Sequence, residues 1–554
     1  MSIRYKSTFY ILAFIIILSN NYIFGFRCGK DKLKIKPKKI KSSNVKRKLS
    51  TSYTPISIKV DYTYLDSQNI VSADNMLKLK SVISETINAL SSLLEVKHQD
   101  VEIDKDSVIE FCEIPVIADD YSNFLHENDL LILPYIDTDY DENVLASAVS
   151  CMTLEDFQPK IGILALNGNI TFAQKDTENY LKMLLLHEIT HILIFDPYIL
   201  ENIGMLQYRN GLAYVDSSRV IDLATKHFGC KLSKGVQLEN QGDIGSVGSH
   251  WEARYMLGDY MIAFDYPEIV ISDISLALFE DSGWYKVNYY TGGLFKFGKN
   301  MGCGFLNSKC LTNYGWETSF PNEFCTSGGD AFCSNGHLSR GDCYLVEYES
   351  KIENENYRYF KDPKIGGLSW ANYCPVSQDY NYSEYNEYYY PNNCKWGEVD
   401  LGIQYGEKIG DNSLCFESSL VPENSELSLN KKISICYEMK CTNENIIIHI
   451  GNNEIICPVN GGIIKNPNGF IGEINCPKYN IICTTDIWCN DAFECINKKS
   501  IPYIINSNDT NNYENEDDYN YDDDNNNKNN NSGWILFLIR NKLIILLGIF
   551  NLLF

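Results

Sequence analysis

Two histidines four residues apart with a glutamate after the first, His187-Glu188-Ile189-Thr190-His191, constrain this chain more than any other feature. Four residues advance a helix by about 400°, so the two imidazoles project from one face, one turn apart, and can reach a single ion. Glu188 stands about 100° round from His187 and can lean toward a fourth coordination position, where a metal-bound water needs a base. The pattern arises by accident in roughly one chain in a hundred of this composition, so context has to decide. Tyr180, Leu181, Met183 to Leu186, Ile189 and Ile192 to Phe195 are apolar on nearly every side, which predicts a buried helix. A buried Glu and two buried His need partners or a metal.

Tetrahedral catalytic zinc takes a third protein ligand, and downstream the chain offers His227, His250, His337 and His449. His250 opens His250-Trp251-Glu252-Ala253-Arg254, and eleven residues later comes Met261 in Gly258-Asp259-Tyr260-Met261. Here the chain resembles the leishmanolysin-like metalloproteases, metzincins whose third His lies far beyond the first two and is followed by a methionine turn. Ser275-Leu276-Ala277-Leu278-Phe279-Glu280-Asp281-Ser282-Gly283-Trp284-Tyr285 is similar to the family's stretch after that turn, and Val144 to Ala148 leading to Cys151 is similar to the segment before the active-site helix. Arg340-Gly341-Asp342-Cys343, Tyr373-Cys374-Pro375 and the paired Cys457-Pro458 and Cys476-Pro477 resemble the cysteine framework of its C-terminal half. The resemblance runs from about Pro55 to about Cys495. It implies that His187, His191 and His250 hold one zinc ion, that Met261 floors the site, and that Glu188 is the base on the zinc-bound water. One departure stands out. The family carries Gly three residues after the second His, where this chain has Ile194. Gly would let the helix end in a left-handed turn; here Asp196-Pro197 is expected to end it.

The formal net charge of −24 argues against nucleic acid as a partner. Residues 1–48 hold 13 Lys or Arg and one acid, a net of +12, which leaves −36 on residues 49–554. Residues 1–26, with Arg4 and Lys6 before the apolar run Phe9 to Leu18, read as a signal peptide, too short in its apolar part to span a bilayer. Residues 27–48 then read as a basic pro-segment. Nineteen cysteines in a secreted chain mean disulfides, and the odd count leaves at least one unpaired. Cys28 stands 84 residues before the next cysteine, inside the basic segment. The resemblance implies a zymogen switch in which its thiolate caps the zinc; an incidental or interchain thiol is the other reading.

Alternation at Ile56, Ile58, Val60 and Tyr62 predicts an opening strand, followed by a helix capped by Asp74 with Ile83, Ile87, Leu90 and Leu94 on one face. Lys160 to Leu166 predicts another strand just before the His187 helix. The expected fold is α+β: a metzincin-type catalytic domain, with a mixed twisted sheet and the active-site helix, and then a disulfide-rich domain mainly of β and loop. The expected boundaries are 49–196 for the N-terminal catalytic subdomain, 197–302 for a central subdomain with His250 and Met261, and 303–500 for the cysteine-rich domain, since Cys303 to Cys495 contains 15 of the 19 cysteines. Asn169, Asn381, Asn508 and Asn530 lie in glycosylation sequons. Residues 501–531 read as an acidic, Asn-rich flexible stalk. Residues 532–554 read as an apolar anchor signal, with Asn531 or Ser532 as the attachment site of a glycolipid. A transmembrane tail is the alternative, carrying Arg540 and Lys542.

These readings converge on a zinc metalloendopeptidase on the extracellular face of the membrane, made as a zymogen, acting on protein or peptide substrates. The rival from another class is an inactive metzincin-like scaffold used for surface adhesion.

Overall fold

The strands before the active-site helix include three long ones, residues 130–137, 144–153 and 159–167, that are apolar and buried at most positions, the pattern of a sheet covered on both faces. We label them β1 (Arg27–Cys28), β2 (Lys38–Lys39), β3 (Thr54–Pro55), β4 (Ile58–Val60), β5 (Leu94–Val96), β6 (Leu130–Asp137), β7 (Val144–Thr153) and β8 (Pro159–Asn167). In this computed structural model six of them form a mixed sheet in the order β1-β7-β8-β6-β4, with β2 also on β7. β4, β6 and β8 run parallel, and β7 is antiparallel to β8. The period of two sorts the side chains: Leu130, Ile132, Leu164 and Leu166 enter the core beneath the active-site helix, while Leu131, Leu133, Ile161 and Ile163 enter a second core on the other face. β3 and β5 pair in a small separate sheet with Tyr285–Val287.

Residues 52–483 are described, except 141–143, 169–176, 243–245, 265, 267–268, 290–294, 327–331, 380–391, 396, 398–402, 430 and 443–444, together with 27–28, 33, 35–40 and 514–515. The expected signal peptide, the four sequons, the Cys28 side chain, the Asn531 and Ser532 anchor site and the apolar tail lie outside them.

The long N-terminal helix runs Ala73–Leu93 and is capped two residues before Asp74: the Ser72 hydroxyl accepts from the Asn75 amide. Asp74 lies in the first turn, where a carboxylate suits the positive end of the helix. Leu94 has left the helix for β5. A short helix, Thr63–Gln68, follows directly on β4; the alternation through Tyr62 gave no sign of it.

The active-site helix spans Thr177–Leu193. It lies on a strip of small residues, Ala146, Ala148 and Gly162. At Gly162 a Cβ would stand 2.3 Å from Ile192 Cγ2, so only glycine permits this closeness. Burying Ile192 and its neighbours at this depth contributes about 1.5–3 kcal/mol per side chain. The helix ends without a left-handed residue at Ile194 or Phe195. Both amides bond the Thr190 carbonyl at 2.9 Å, the Asp196 amide turns back to the Ile194 carbonyl at 2.8 Å, and the Asp196 carboxylate then caps a new helix, Pro197–Asn202. Asp196-Pro197 therefore ends the helix as its sequence suggests, with β-branched Ile194 unstrained.

One continuous apolar core extends from Ile56 to Val376 and includes the site, and a separate core lies in the later sheet, from Leu414 to Ile482. That sheet is six-stranded and antiparallel, in the order 453–457, 446–450, 433–441, 413–418, 473–476, 462–465. Among the described residues, eight disulfides join 16 cysteines: 112–151, 230–303, 310–374, 325–343, 333–415, 394–436, 441–483 and 457–476. The architecture is the expected α+β, a mixed sheet and helix followed by a disulfide-rich β and loop half. Within the acidic stretch, Glu514–Asn515 pair in parallel with Cys230–Lys231. Ladder bonding belongs to the backbone, and an open strand edge accepts a sequence too polar to build a core.

Candidate metal centre

His187 and His191 lie one turn apart on the active-site helix, and both are buried. His250 arrives from 59 positions beyond His191, after a hairpin (Leu206–Arg209 with Leu212–Val215), a helix (Ser218–Phe228) and the short strand Val236–Gln237. Of the four downstream histidines, His250 is the one the fold brings to the pair. His227 instead stacks on Phe295 with its Nε2 at 2.8 Å from the Phe297 carbonyl. His337 bonds the Cys415 carbonyl and His449 faces Glu454.

The three Nε2 atoms form a triangle with sides of 3.0, 3.2 and 3.3 Å. Each ring's other nitrogen faces an oxygen: His187 Nδ1 the Tyr260 carbonyl at 2.6 Å, His191 Nδ1 the Phe195 carbonyl at 2.7 Å, and His250 Nδ1 the Ser246 carbonyl at 3.2 Å and Ser249 Oγ at 3.0 Å. A carbonyl can only accept, so these partners assign the proton to Nδ1 and leave each Nε2 unprotonated. Three acceptors cannot hydrogen-bond one another, and buried together they call for a cation. Three nitrogens about 2.0–2.1 Å from one tetrahedral ion stand about 3.3–3.4 Å apart, close to the separations here. The donor set, neutral imidazoles each oriented by a carbonyl, suits zinc. Among the described residues this is the one cluster of three or more His, Cys, Asp or Glu able to hold a metal.

Glu188 is fully buried beside His187. Met261 is fully buried in the turn Asp259–Ile262, its amide donating to Asp259 Oδ1 at 2.7 Å and its carbonyl accepting from the Trp251 amide at 2.9 Å. The turn thus touches both halves of the site, since the preceding carbonyl orients His187 and Met261 pairs with the residue after His250. Ser275 fixes it further: its hydroxyl donates to the Asp259 carboxylate at 2.8 Å and accepts from Trp251 Nε1 at 2.7 Å. Burial pushes the Asp259 carboxyl up to about 6, against the hydrogen bonds of Ser272, Met261 and Ser275 that lower it.

Sequence reasoning missed the orienting carbonyls of Phe195, Ser246 and Tyr260, because a backbone oxygen leaves no residue-type signature. It also missed Tyr140, a buried phenol bonded to the Ser147 hydroxyl. Burial raises its pKa, the Ser147 bond opposes this, and the charges of Tyr135, Asp137 and Glu188 add to the rise.

Comparison with known proteins agrees with this geometry. The chain is 27% identical over 328 residues to a leishmanolysin homolog of Crithidia fasciculata, covering 57% of this chain and 49% of that protein. It is 24% identical over 364 residues to leishmanolysin of Leishmania major, covering 63% and 58%, and 27% identical over 295 residues to a leishmanolysin-like peptidase of Drosophila melanogaster, covering 48% and 43%. The match therefore spans roughly half of each relative's length. The family model for leishmanolysin matches residues 65–489, well over half of the chain, and the chain belongs to the leishmanolysin family of peptidases.

Proposed function

We propose that this protein is a zinc-dependent metalloendopeptidase that hydrolyses peptide bonds of protein substrates at the cell surface. The observation that carries the reading is the triangle of three unprotonated Nε2 atoms, each ring oriented from behind by a backbone carbonyl or hydroxyl. His187, His191 and His250 would hold the ion. When bound, zinc would supply a Lewis acid that polarises the scissile carbonyl and acidifies a water. The Glu188 carboxylate takes the proton of the attacking water and passes it to the leaving nitrogen. Its burial keeps that proton from bulk solvent and strengthens its field at the reacting atoms. Met261, held by Asp259, packs under the site without ligating.

Latency fits the same reading. Residues of the basic segment extend β7 in parallel, Arg27 and Cys28 against Val144 and Ala146, Lys38 and Lys39 against Met152 and Thr153, and Ile40 is buried in the second core. A segment bonded to the strand that flanks the active-site helix is suited to obstruct it, with the Cys28 thiolate as cap. In this reading residues 1–48 are removed on maturation, and a lipid at Asn531 or Ser532 tethers the mature chain.

The test is a pair of variants. Glu188→Ala should abolish casein hydrolysis while keeping about one zinc per chain, and His250→Ala should lose the metal. Retention of zinc and activity by His250→Ala would refute the ligand set.

A further inference from the structure

The loop that delivers His250 is gripped by the cysteine-rich half of the chain. On its near side the His250 backbone is paired: the Glu239 amide donates to the His250 carbonyl at 2.8 Å, and the Glu252 amide to the Gln237 carbonyl at 3.1 Å. These two glutamates carry their carboxylates into the interior, where Glu239 is 1% and Glu252 0% exposed. Carboxylates buried at that depth hold a fixed position only through their donors. Glu239 Oε1 accepts from the amides of Asn240 at 2.9 Å and Gln241 at 2.7 Å, and Glu252 Oε2 accepts from Asn240 Nδ2 at 2.6 Å.

The network then crosses 131 positions of sequence. Gln241 Nε2 donates to Asn240 Oδ1 at 2.7 Å and to Asn372 Oδ1 at 3.3 Å. Beside it Trp370 packs so close to the loop that a Cβ on Gly242 would stand 2.4 Å from its ring. Trp370 and Asn372 are themselves fixed, in a turn stapled to the core by the Cys310–Cys374 disulfide. We propose that Asn372 and Trp370 are positioning residues for His250, setting the third metal ligand from the later half of the chain through Asn240, Gln241 and the buried carboxylates of Glu239 and Glu252. The inference rests on the metal-site reading above.

Partners bonded directly to a metal ligand typically change affinity about 10–100-fold when removed, and Asn372 reaches His250 only through Gln241 and Glu239, so its effect falls at the low end of that range. Asn372 has φ +53°, so Asn372→Gly deletes the carboxamide without straining the backbone. We expect Asn372→Gly to weaken zinc binding by about 10-fold or more in competition titrations of the full chain with a chromogenic chelator. The visible spectrum of the cobalt-substituted protein should shift as well, since it reports ligand geometry. Gln241→Ala should act in the same direction. Ile450→Ala, in the separate later core, should lower thermal stability and leave both readouts unchanged. Zinc affinity and cobalt spectrum equal to wild type in Asn372→Gly and Gln241→Ala would overturn the inference alone. A wild-type chain that binds no zinc would overturn the metalloprotease reading and this inference with it.

Discussion

The seating of the active-site helix on Gly162 yields a prediction whose size follows from the packing. An added Cβ would lie 2.3 Å from Ile192 Cγ2 and 2.9 Å from its Cγ1 and Cδ1, where carbon atoms normally rest about 3.5–4.0 Å apart. Ile192 is fully buried, and protein interiors are close-packed, so in Gly162→Ala the helix should retreat by about an ångström. Overpacking of this kind costs about 1–3 kcal/mol. The retreat also displaces His191, the adjacent residue, and a misplacement of about 1 Å lowers a catalytic rate on the order of 100-fold. Ile192→Ala alone should cost about 2–5 kcal/mol through the cavity it leaves. In the double variant the new methyl occupies part of that cavity, so the two losses should fall short of their sum by about 1 kcal/mol or more. Urea unfolding followed by tryptophan fluorescence gives the three free energies, and peptide hydrolysis gives the rate. Simple additivity, or a Gly162→Ala protein with wild-type stability and rate, would refute the seating of the helix.

The partly exposed His98 should make stability depend on pH. Burial alone would lower its pKa, but Asp129 at Nδ1, and Asp100 and the His126 carbonyl at Nε2, outweigh it and raise it. A folded-state pKa above the unfolded 6.5 means that the contribution is fully present below about 6.5 and is lost as pH rises through the folded value. His98→Gln should flatten that part of the stability curve between pH 5 and 8; an unchanged slope would contradict it. Replacing Cys230 and Cys303 together by Ser opens a loop of 73 residues, worth about 4 kcal/mol on the chain-entropy account, and should show as a lower melting temperature and faster proteolysis. Releasing the basic segment should uncover β7, so hydrogen exchange at Val144 to Thr153 should accelerate in the processed chain relative to the precursor; equal protection would argue against the pairing seen at Arg27–Cys28 and Lys38–Lys39.

What the sequence disclosed and what it withheld divide along a physical line. His187, Glu188 and His191 were legible because a helix turns the spacing of letters into a direction in space, and β8 was legible because Ile161 to Leu166 form the uninterrupted apolar run that two packed layers require. The Ser72 cap was missed in favour of Asp74 because both residues are good caps two positions apart, and the backbone alone decides which leaves the helix. The choice of His250 over His227 rested on likeness, since no local rule says that His227 spends its ring on Phe295 and the Phe297 carbonyl. Least legible were the contacts made across long separations: the eight disulfide pairings, and Asn372 reaching Gln241. A disulfide or an amide pair is fixed by where two distant segments come to rest, and each segment's own sequence is compatible with many partners.

The departure at Ile194 shows how local and tertiary requirements trade places. A glycine after the second histidine supplies freedom, letting the chain bend away by a left-handed residue. Here the bend is made with right-handed and extended residues alone, because Thr190 accepts two amides and Asp196 starts the next helix at once. The requirement at that place is that the Phe195 carbonyl return to 2.7 Å from His191 Nδ1, since that contact fixes which nitrogen faces the metal. A backbone that meets this condition by another route keeps the site intact. It follows that Ile194→Gly should give no gain in metal affinity and should destabilise the fold, by removal of a fully buried side chain and by added freedom in the unfolded chain, by about 2–5 kcal/mol. A zinc affinity that rises in Ile194→Gly would show instead that the isoleucine holds His191 away from its best position.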